Sequence, residues 1–205
     1  MKTATFNQPP QTSFKTRRSV LNLCLAGIAS GLTGFRAEAQ QVLARPLDVP
    51  YEPSPLPVVD RMLEMAKVGK DDLLYDLGSG DGRIVIAAAK KYGARGIGID
   101  LDPKRVDEAT VNAKNAGVED RVQFMVGDLF KSDFSDASVV TLYLFPTVNL
   151  QLRPELWRQL KVGTRVVSHT WDMGPEWPPE KTEKIQGRTI HYWTITEAQK
   201  RAIGK

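Results

Sequence analysis

Cysteine and histidine are scarce in this chain of 205 residues, which has one cysteine, Cys24, and two histidines, His169 and His191. Cys24 lies in an apolar stretch near the amino terminus, so the rest of the chain has no thiol for a disulfide bond, a nucleophile or a metal ligand. The two histidines do not form the short spacings that zinc sites use. We therefore expect neither cysteine chemistry nor a metal centre.

An excess of charge is also lacking in the part of the chain that is expected to fold. The formal net charge is +4, but the first 39 residues hold five of the 28 basic residues and one of the 24 acidic residues. The remainder therefore has 23 basic and 23 acidic residues. Counterion release on nucleic acid needs clustered cations on the domain itself. This neutrality argues against a nucleic-acid partner.

No apolar run is long enough to span a bilayer comfortably, and the one candidate resembles an export signal. Arg17-Arg18 precedes an apolar segment at residues 20–35, and residues 37–39 supply the small side chains that a signal peptidase accepts. We predict that residues 1–39 are a targeting segment leading to the periplasm, with an arginine pair that resembles a twin-arginine signal. An uncleaved surface anchor and a cytoplasmic location remain open.

A proline-rich arm is predicted at residues 40–57, because its five prolines oppose helix formation. The pattern from residue 58 to residue 205 then indicates one domain of ordinary size. Apolar residues at helical spacing predict a first helix over residues 58–66 that is closed by Gly69.

Strands and helices alternate along the rest of the domain. Strands are predicted at residues 73–76, 96–100, 122–126, 138–144 and 165–168. Helices are predicted between them at residues 82–92, 103–116 and 149–160, the second capped by Asp102. Two final β-rich runs flank Gly187-Arg188 as a hairpin. The pattern predicts an α/β fold: a doubly wound, mostly parallel sheet with an antiparallel hairpin at its carboxyl-terminal end.

The turn after the first strand is rich in glycine and reads Asp-Leu-Gly-Ser-Gly-Asp-Gly over residues 76–82. Gly78, Gly80 and Gly82 can adopt positive φ and allow the backbone and the following helix to approach a ligand closely. The dinucleotide fingerprint would need a third glycine where Arg83 stands. The turn therefore predicts a ligand site of another kind than a nicotinamide site.

Two acids follow the next two strands. Asp100 ends the second strand 20 residues after Gly80, where a carboxylate can accept hydrogen bonds from both ribose hydroxyls. Asp128 ends the third strand, where a carboxylate can accept a hydrogen bond from an adenine amino group. Each acid alone could be a helix cap or a surface charge. Together with the glycine turn, they predict a nucleoside site.

These motifs resemble those of class I, seven-strand S-adenosylmethionine-dependent methyltransferases. Residues 76–90, 142–146 and 163–169 are similar to archaeal protein-lysine methyltransferases and their mitochondrial relatives, and residues 49–55 look like the arm that those enzymes fold over the cofactor. The resemblance implies S-adenosyl-L-methionine as cofactor, a seven-stranded sheet and protein lysine as acceptor. It implies cofactor contacts from Asp76, Gly78, Ser79, Gly80, Gly82, Asp100, Asp128 and Tyr51.

Methyl transfer from a sulfonium is an in-line displacement that needs alignment and exclusion of water rather than a covalent nucleophile. A lysine acceptor must lose its proton, which an apolar aromatic channel favours. The candidates for such a channel are Tyr143, Phe145, Trp171 and Trp177, although each could equally be a packing residue.

Tyr143 and His169 are the candidate catalytic residues, and His169 could equally be structural. The chain has Leu144-Phe145-Pro146 where enzymes that methylate adenine in DNA have Asn-Pro-Pro-aromatic. A small-molecule acceptor, or a binding module without turnover, remains an alternative to protein lysine. Nothing in the sequence indicates an oligomeric state.

Overall fold

The computed structural model describes residues 51–203. The targeting segment predicted for residues 1–39 and most of the proline-rich arm lie outside the described residues, so both stay predictions. Between residues 51 and 203, no helix is long and apolar enough to cross a membrane.

Seven strands and five helices follow one another along residues 51–203. In chain order they are α1 (Leu56–Met65), β1 (Leu73–Leu77), α2 (Arg83–Tyr92), β2 (Arg95–Asp100), α3 (Pro103–Ala116), β3 (Val122–Val126), β4 (Val139–Leu142), α4 (Pro146–Gln159), β5 (Arg165–His169), β6 (Lys181–Ile185), β7 (Arg188–Thr194) and α5 (Glu197–Ala202). Asp102 caps α3 as predicted, because its Oδ1 accepts a hydrogen bond from the Lys104 amide at 2.9 Å.

The seven strands form one sheet in the order β3-β2-β1-β4-β5-β7-β6. Strands β1 to β5 pair in parallel, β7 lies antiparallel to β5, and β6 lies antiparallel to β7. The order reverses direction at β1, so β2 and β4 lie on its two sides. This is the predicted doubly wound sheet with its antiparallel hairpin, and ligands bind such sheets at the carboxyl ends of the strands.

Helices cover both faces of the sheet. On one face, α1 and α2 contribute apolar side chains such as Met62, Leu63 and Val85 to a buried cluster. On the other face, α4 contributes Leu152 and Leu156. Because both faces are covered, the ends of the strands are the part of the sheet that a ligand can reach.

Several boundaries differ from the predicted ones, and three of these differences have a local cause. Helix α1 ends at Met65 and Gly69 is not its cap, because the Gly69 amide donates to Asp72 Oδ2 at 2.8 Å instead. Helix α4 begins at Pro146, three residues early, because proline suits the first turn of a helix. The hairpin turns at Gln186-Gly187, where both residues have positive φ, and Arg188 already belongs to β7.

Candidate functional site

A cleft with a volume of about 890 Å³, counted to its open mouth, crosses the carboxyl ends of β1 to β4. Eight of the ten predicted cofactor-contact and catalytic residues line it: Tyr51, Asp76, Gly78, Ser79, Gly80, Asp100, Asp128 and Tyr143. Gly82 and His169 are not among its lining residues. The topology of the sheet therefore gathers side chains that lie up to 92 positions apart in the sequence around one space.

The amides of the glycine turn already have partners within the protein. The amides of Gly78 and Ser79 both donate to the Ile99 carbonyl, at 2.8 and 3.0 Å, and the Gly80 amide donates to Asp100 Oδ2 at 2.7 Å. We expected these amides to face a ligand. They instead tie the turn to the end of β2, which fixes the shape of the cleft floor.

The glycines are needed because other groups approach their backbone closely. A β-carbon at Gly78 would lie 2.7 Å from Leu144 Cδ2, and Gly78 has φ of +85°. Gly82 also has positive φ, but a β-carbon there would lie 2.6 Å from Phe124 Cζ. Gly82 thus lets α2 begin tightly against β3, which explains its place outside the cleft lining.

Asp100 and Asp128 lie at the same edge of the sheet, at the carboxyl ends of β2 and β3, and border the same cleft, as predicted. Asp100 Oδ1 accepts from the Asp102 amide at 2.9 Å, and its other oxygen holds the Gly80 amide. Asp128 is buried, and its Oδ1 accepts from the Phe130 amide at 3.0 Å. Each carboxylate is thus oriented by backbone amides at the border of the cleft.

Asp76 is almost completely buried on the cleft floor, where its Oδ1 accepts from the Thr141 hydroxyl at 2.8 Å. The pKa of Asp76 is raised to about 8, chiefly by burial and also by the negative charges of Asp100 and Asp81, although the Thr141 hydrogen bond opposes the shift. A cation placed in the cleft would offset this cost and favour the ionised carboxylate.

Among the charged residues that line the cleft, acidic residues outnumber basic ones. Six of the lining residues are acidic and two are basic: Glu52, Asp76, Asp81, Asp100, Asp102 and Asp128 against Arg83 and Arg105. Arg83 is itself held by Asp81 at 2.6 Å. In addition, the buried Ser79 hydroxyl has no hydrogen-bond partner in the protein. These features suit a polar ligand that carries positive charge, such as a sulfonium with an amino group.

Residues 51–54 of the predicted arm line one wall of the cleft, and sequence reasoning missed most of their contacts. The Ser54 carbonyl accepts from Arg83 Nη1 at 3.0 Å, and the Ser54 hydroxyl lies 2.8 Å from His169 Nδ1. The Arg105 guanidinium lies 4.4 Å from the ring centroid of Tyr51. No local sequence pattern predicts these partners, because they belong to elements that are distant in the sequence.

His169 lies behind the cleft wall rather than in it. Its ring is fully buried, with its centroid 3.9 Å from that of Tyr143, and Nε2 has no partner in the protein. The pKa of His169 is lowered to about 4, chiefly by burial and also by the positive charge of Arg188. The imidazole is therefore neutral near pH 7 and supports the ring of Tyr143, which does line the cleft.

The four predicted channel aromatics do not share one environment. Trp177 is buried in the core, 5.8 Å from Trp157 and 5.6 Å from Trp193 between ring centroids, so of its two predicted alternatives it is a packing residue. Phe145 and Trp171 are 42% and 38% exposed and follow the neighbouring strands β4 and β5. Sequence could not separate these cases, because all four aromatics lie at or beyond the ends of predicted strands.

No group of three His, Cys, Asp or Glu side chains that could hold a metal ion occurs among residues 51–203. The acidic cleft lining therefore contains no ready-made metal site within that part of the chain.

Comparisons with known proteins agree with this geometry. Residues 76–181 match the model of the ANTKMT methyltransferase domain. A protein-lysine N-methyltransferase of Saccharolobus islandicus (strain REY15A) is 43% identical over 73% of this chain and 95% of its own length. The adenine nucleotide translocase lysine N-methyltransferase of Mus musculus is 32% identical over 85% of this chain and 80% of its own length.

A solved structure adds the ligand. An RNA methyltransferase from Salinibacter ruber in complex with S-adenosyl-L-homocysteine is 60% identical, has a TM-score of 0.70, and covers 71% of this chain and 95% of its own. The fold and the cleft thus define a class I S-adenosylmethionine-dependent methyltransferase, with S-adenosyl-L-methionine as cofactor. Within that class, the chain belongs to the ANTKMT methyltransferase domain family, close to the protein-lysine N-methyltransferases.

Proposed function

We propose that this enzyme transfers methyl groups to lysine side chains of a protein. The observation that carries the proposal is the 43% identity to a protein-lysine N-methyltransferase over nearly its whole length. The acidic lining of the cleft supports it, because an acceptor ammonium approaching the cofactor meets carboxylates rather than a positive surface.

The residues of the cleft suggest how the cofactor is held. Asp100 and Asp128, at the ends of β2 and β3, would hold the ribose and the adenine. Asp76 and the turn at Gly78 lie beside them at the end of β1, where the positively charged methionine part would rest. Tyr51, whose ring covers Gly80, would close the cleft from above. The bound cofactor supplies a methyl group that is activated by its positive sulfur.

The protein's own part in the transfer is alignment and exclusion of water. Tyr143 lines the cleft at the end of β4, and His169 stacks against its ring. We propose that Tyr143 contacts the acceptor and that His169 positions Tyr143. A neutral imidazole at His169 adds no positive charge that would repel an approaching ammonium.

RNA is the second candidate acceptor, because the 60% identical protein from Salinibacter ruber is described as an RNA methyltransferase. The six acids and two arginines of the cleft lining oppose a phosphate backbone at its mouth. We therefore place protein lysine before RNA. A small-molecule acceptor stays the third possibility.

Incubation with S-adenosylmethionine carrying a radioactive methyl group tests the proposal. Protein, RNA and small-molecule fractions of a cell extract are offered separately, and peptide mass spectrometry identifies any labelled residue. We expect label on lysine in the protein fraction. An Asp100→Ala variant, which loses the carboxylate that orients the turn, should give no label, whereas Glu64→Gln on the exposed face of α1 should behave like the natural enzyme. Label confined to RNA or to small molecules would refute the lysine acceptor.

We also propose that the protein is exported, because the sequence of residues 1–39 contains an arginine pair followed by an apolar segment. Sequencing of the amino terminus of protein recovered from cell fractions tests this. A mature start near residue 40 in an exported fraction is expected. An intact Met1 in the cytoplasmic fraction would contradict it.

A further inference from the structure

Glu52 is the one carboxylate that the arm contributes to the cleft lining. The cleft runs across the strand ends from Asp128 beyond β3 to Tyr143 beyond β4. If the nucleoside rests by Asp100 and Asp128, the sulfonium end faces β1 and β4, which is the end where Glu52 and Tyr143 meet. This placement rests on the proposed function.

Glu52 belongs to a small polar cluster at that end. Its Oε1 lies 3.1 Å from Arg188 Nη2, and Arg188 Nη1 donates to the Tyr143 hydroxyl at 3.4 Å. Burial and the nearby Glu52 carboxylate raise the pKa of the Tyr143 phenol. Arg188 thus bridges the Glu52 carboxylate and the Tyr143 phenol at the methyl-donating end of the cleft.

Holding the arm in place does not require this cluster. Ser54 already anchors the arm through His169 at 2.8 Å and through Arg83 at 3.0 Å. The side chains of Glu52 and Arg188 are 58% and 41% exposed, and an ion pair with such exposure contributes little to stability. The structure therefore gives Glu52 no strong structural task, although it places a negative charge at the mouth.

We propose that Glu52 is the receptor for the ammonium group of the acceptor and thereby selects an amine-bearing side chain. A carboxylate accepts about four hydrogen bonds, so Glu52 can take a further donor while Tyr143 and Arg188 remain in place. In the absence of acceptor, Arg188 is its partner. When an alkylammonium enters, it shares Glu52 with Arg188 or replaces it, and this draws the nitrogen toward the methyl-donating end.

Two synthetic ligands test the proposal without a protein acceptor. Both are analogues of S-adenosylmethionine in which nitrogen replaces sulfur. One carries a 4-aminobutyl chain where the methyl group was, and the other carries a butyl chain. Calorimetry measures the dissociation constant of each. We expect the natural enzyme to bind the aminobutyl ligand about tenfold more tightly than the butyl ligand, as a charge-assisted hydrogen bond allows.

Three variants separate recognition from a structural role. Glu52→Gln keeps the size of the side chain and removes its charge, so we expect the tenfold preference to vanish while the butyl ligand binds as before. Arg188→Gln removes the competing cation, so we expect the preference to persist or increase. Glu64→Gln removes an acid of similar exposure on α1 and should leave the preference unchanged.

Several outcomes would overturn the proposal. The first is a natural enzyme that binds both ligands equally, and the second is a Glu52→Gln variant that still prefers the aminobutyl ligand. The third is an equal loss of this preference in Glu52→Gln and Arg188→Gln, which would mean that the ion pair only shapes the arm. A Glu52→Gln variant that binds both ligands more weakly by the same factor would also assign the residue to the arm. The result is independent of the labelling experiment, so a failure of the lysine acceptor and a failure of Glu52 can be told apart.

Discussion

The ring of Tyr51 lies so close to Gly80 that a β-carbon at position 80 would be 2.6 Å from Tyr51 Cε2. The contact joins the arm to the glycine turn, and Gly80 in turn donates its amide to Asp100. The arm, the turn and the acid after β2 therefore form one connected wall of the cofactor cleft.

The contact between Tyr51 and Gly80 predicts a specific effect of Gly80→Ala. The new methyl group should displace the Tyr51 ring and lower the affinity for S-adenosylmethionine about tenfold or more, as measured by calorimetry. In a protein that already carries Tyr51→Ala, Gly80→Ala should lower the affinity for S-adenosylmethionine much less, because the new methyl group no longer clashes with the ring.

Gly117→Ala is the matched control for this substitution. Gly117 has φ of +68°, and a β-carbon there would meet nothing within 4 Å. It should therefore cost about 1 kcal/mol of stability through backbone strain and leave cofactor affinity unchanged. Equal affinity losses for Gly80→Ala with and without Tyr51 would contradict the contact.

Asp76→Asn should raise stability and weaken cofactor binding at the same time. The pKa of Asp76 in the folded protein is about 8, above its ordinary value of 3.8, so the folded state binds this proton more tightly than the unfolded state. The contribution of Asp76 to the free energy of unfolding therefore favours folding at low pH and is lost as the pH rises from about 4 to about 8. At pH 8 the amide variant should therefore be more stable by about 1–3 kcal/mol in urea denaturation.

The same variant should bind S-adenosylmethionine about tenfold more weakly, because the cofactor's positive charge loses its buried partner. In the natural enzyme, affinity should fall as the pH is lowered below 8, and 5′-methylthioadenosine, which lacks the amino group and the sulfonium, should show a smaller change. If the Asp76→Asn variant is less stable than the natural protein at pH 8, burial of the ionised Asp76 carboxylate does not cost stability.

His169 predicts an acid-sensitive step in stability. Its pKa is lowered from 6.5 to about 4 in the folded protein, so the unfolded state takes up this proton first. Stability should therefore decrease as the pH falls from about 6.5 to about 4, by about 1–3 kcal/mol from this residue. Urea denaturation across that range should show a smaller decrease for His169→Gln. Equal decreases in the natural protein and in His169→Gln would contradict the prediction.

Thr170 predicts a site of stored backbone strain. It has φ of +71°, and the Trp171 amide donates to the His169 carbonyl at 2.9 Å across it, which forms a tight three-residue turn. Its hydroxyl is also buried without a partner in the protein. Thr170→Gly should relieve the strain, with a net gain of about 1 kcal/mol or a rise in melting temperature of roughly 2–4 °C.

Gln186→Gly is the comparison for this prediction, because Gln186 has positive φ in the exposed hairpin turn. Both substitutions add glycine at a left-handed position, but only Thr170 is branched at its β-carbon and holds an unpartnered hydroxyl. The gain at Thr170 should therefore be the larger one. If calorimetric melting shows no gain for Thr170→Gly, the turn is not strained.

Much of the fold and part of the site followed from the sequence alone. The alternation of apolar runs, the glycine turn and the acids Asp100 and Asp128 are local patterns, because each depends on residues within a strand or its next few positions. In a doubly wound sheet the carboxyl ends of parallel strands meet at one edge, so local position was enough to predict that these acids border one cleft.

Only the tertiary structure decided which side chains meet across that edge. The partners of the arm, Ser54 with His169 and Glu52 with Arg188, are 115 and 136 positions apart, and no periodicity encodes such pairs. Likewise, Trp177 and Trp171 look alike in the sequence, but one is buried in the core and the other borders solvent. Secondary structure is set by neighbouring residues, whereas burial, pKa shifts and ion pairs are set by whatever the folded chain brings beside a group.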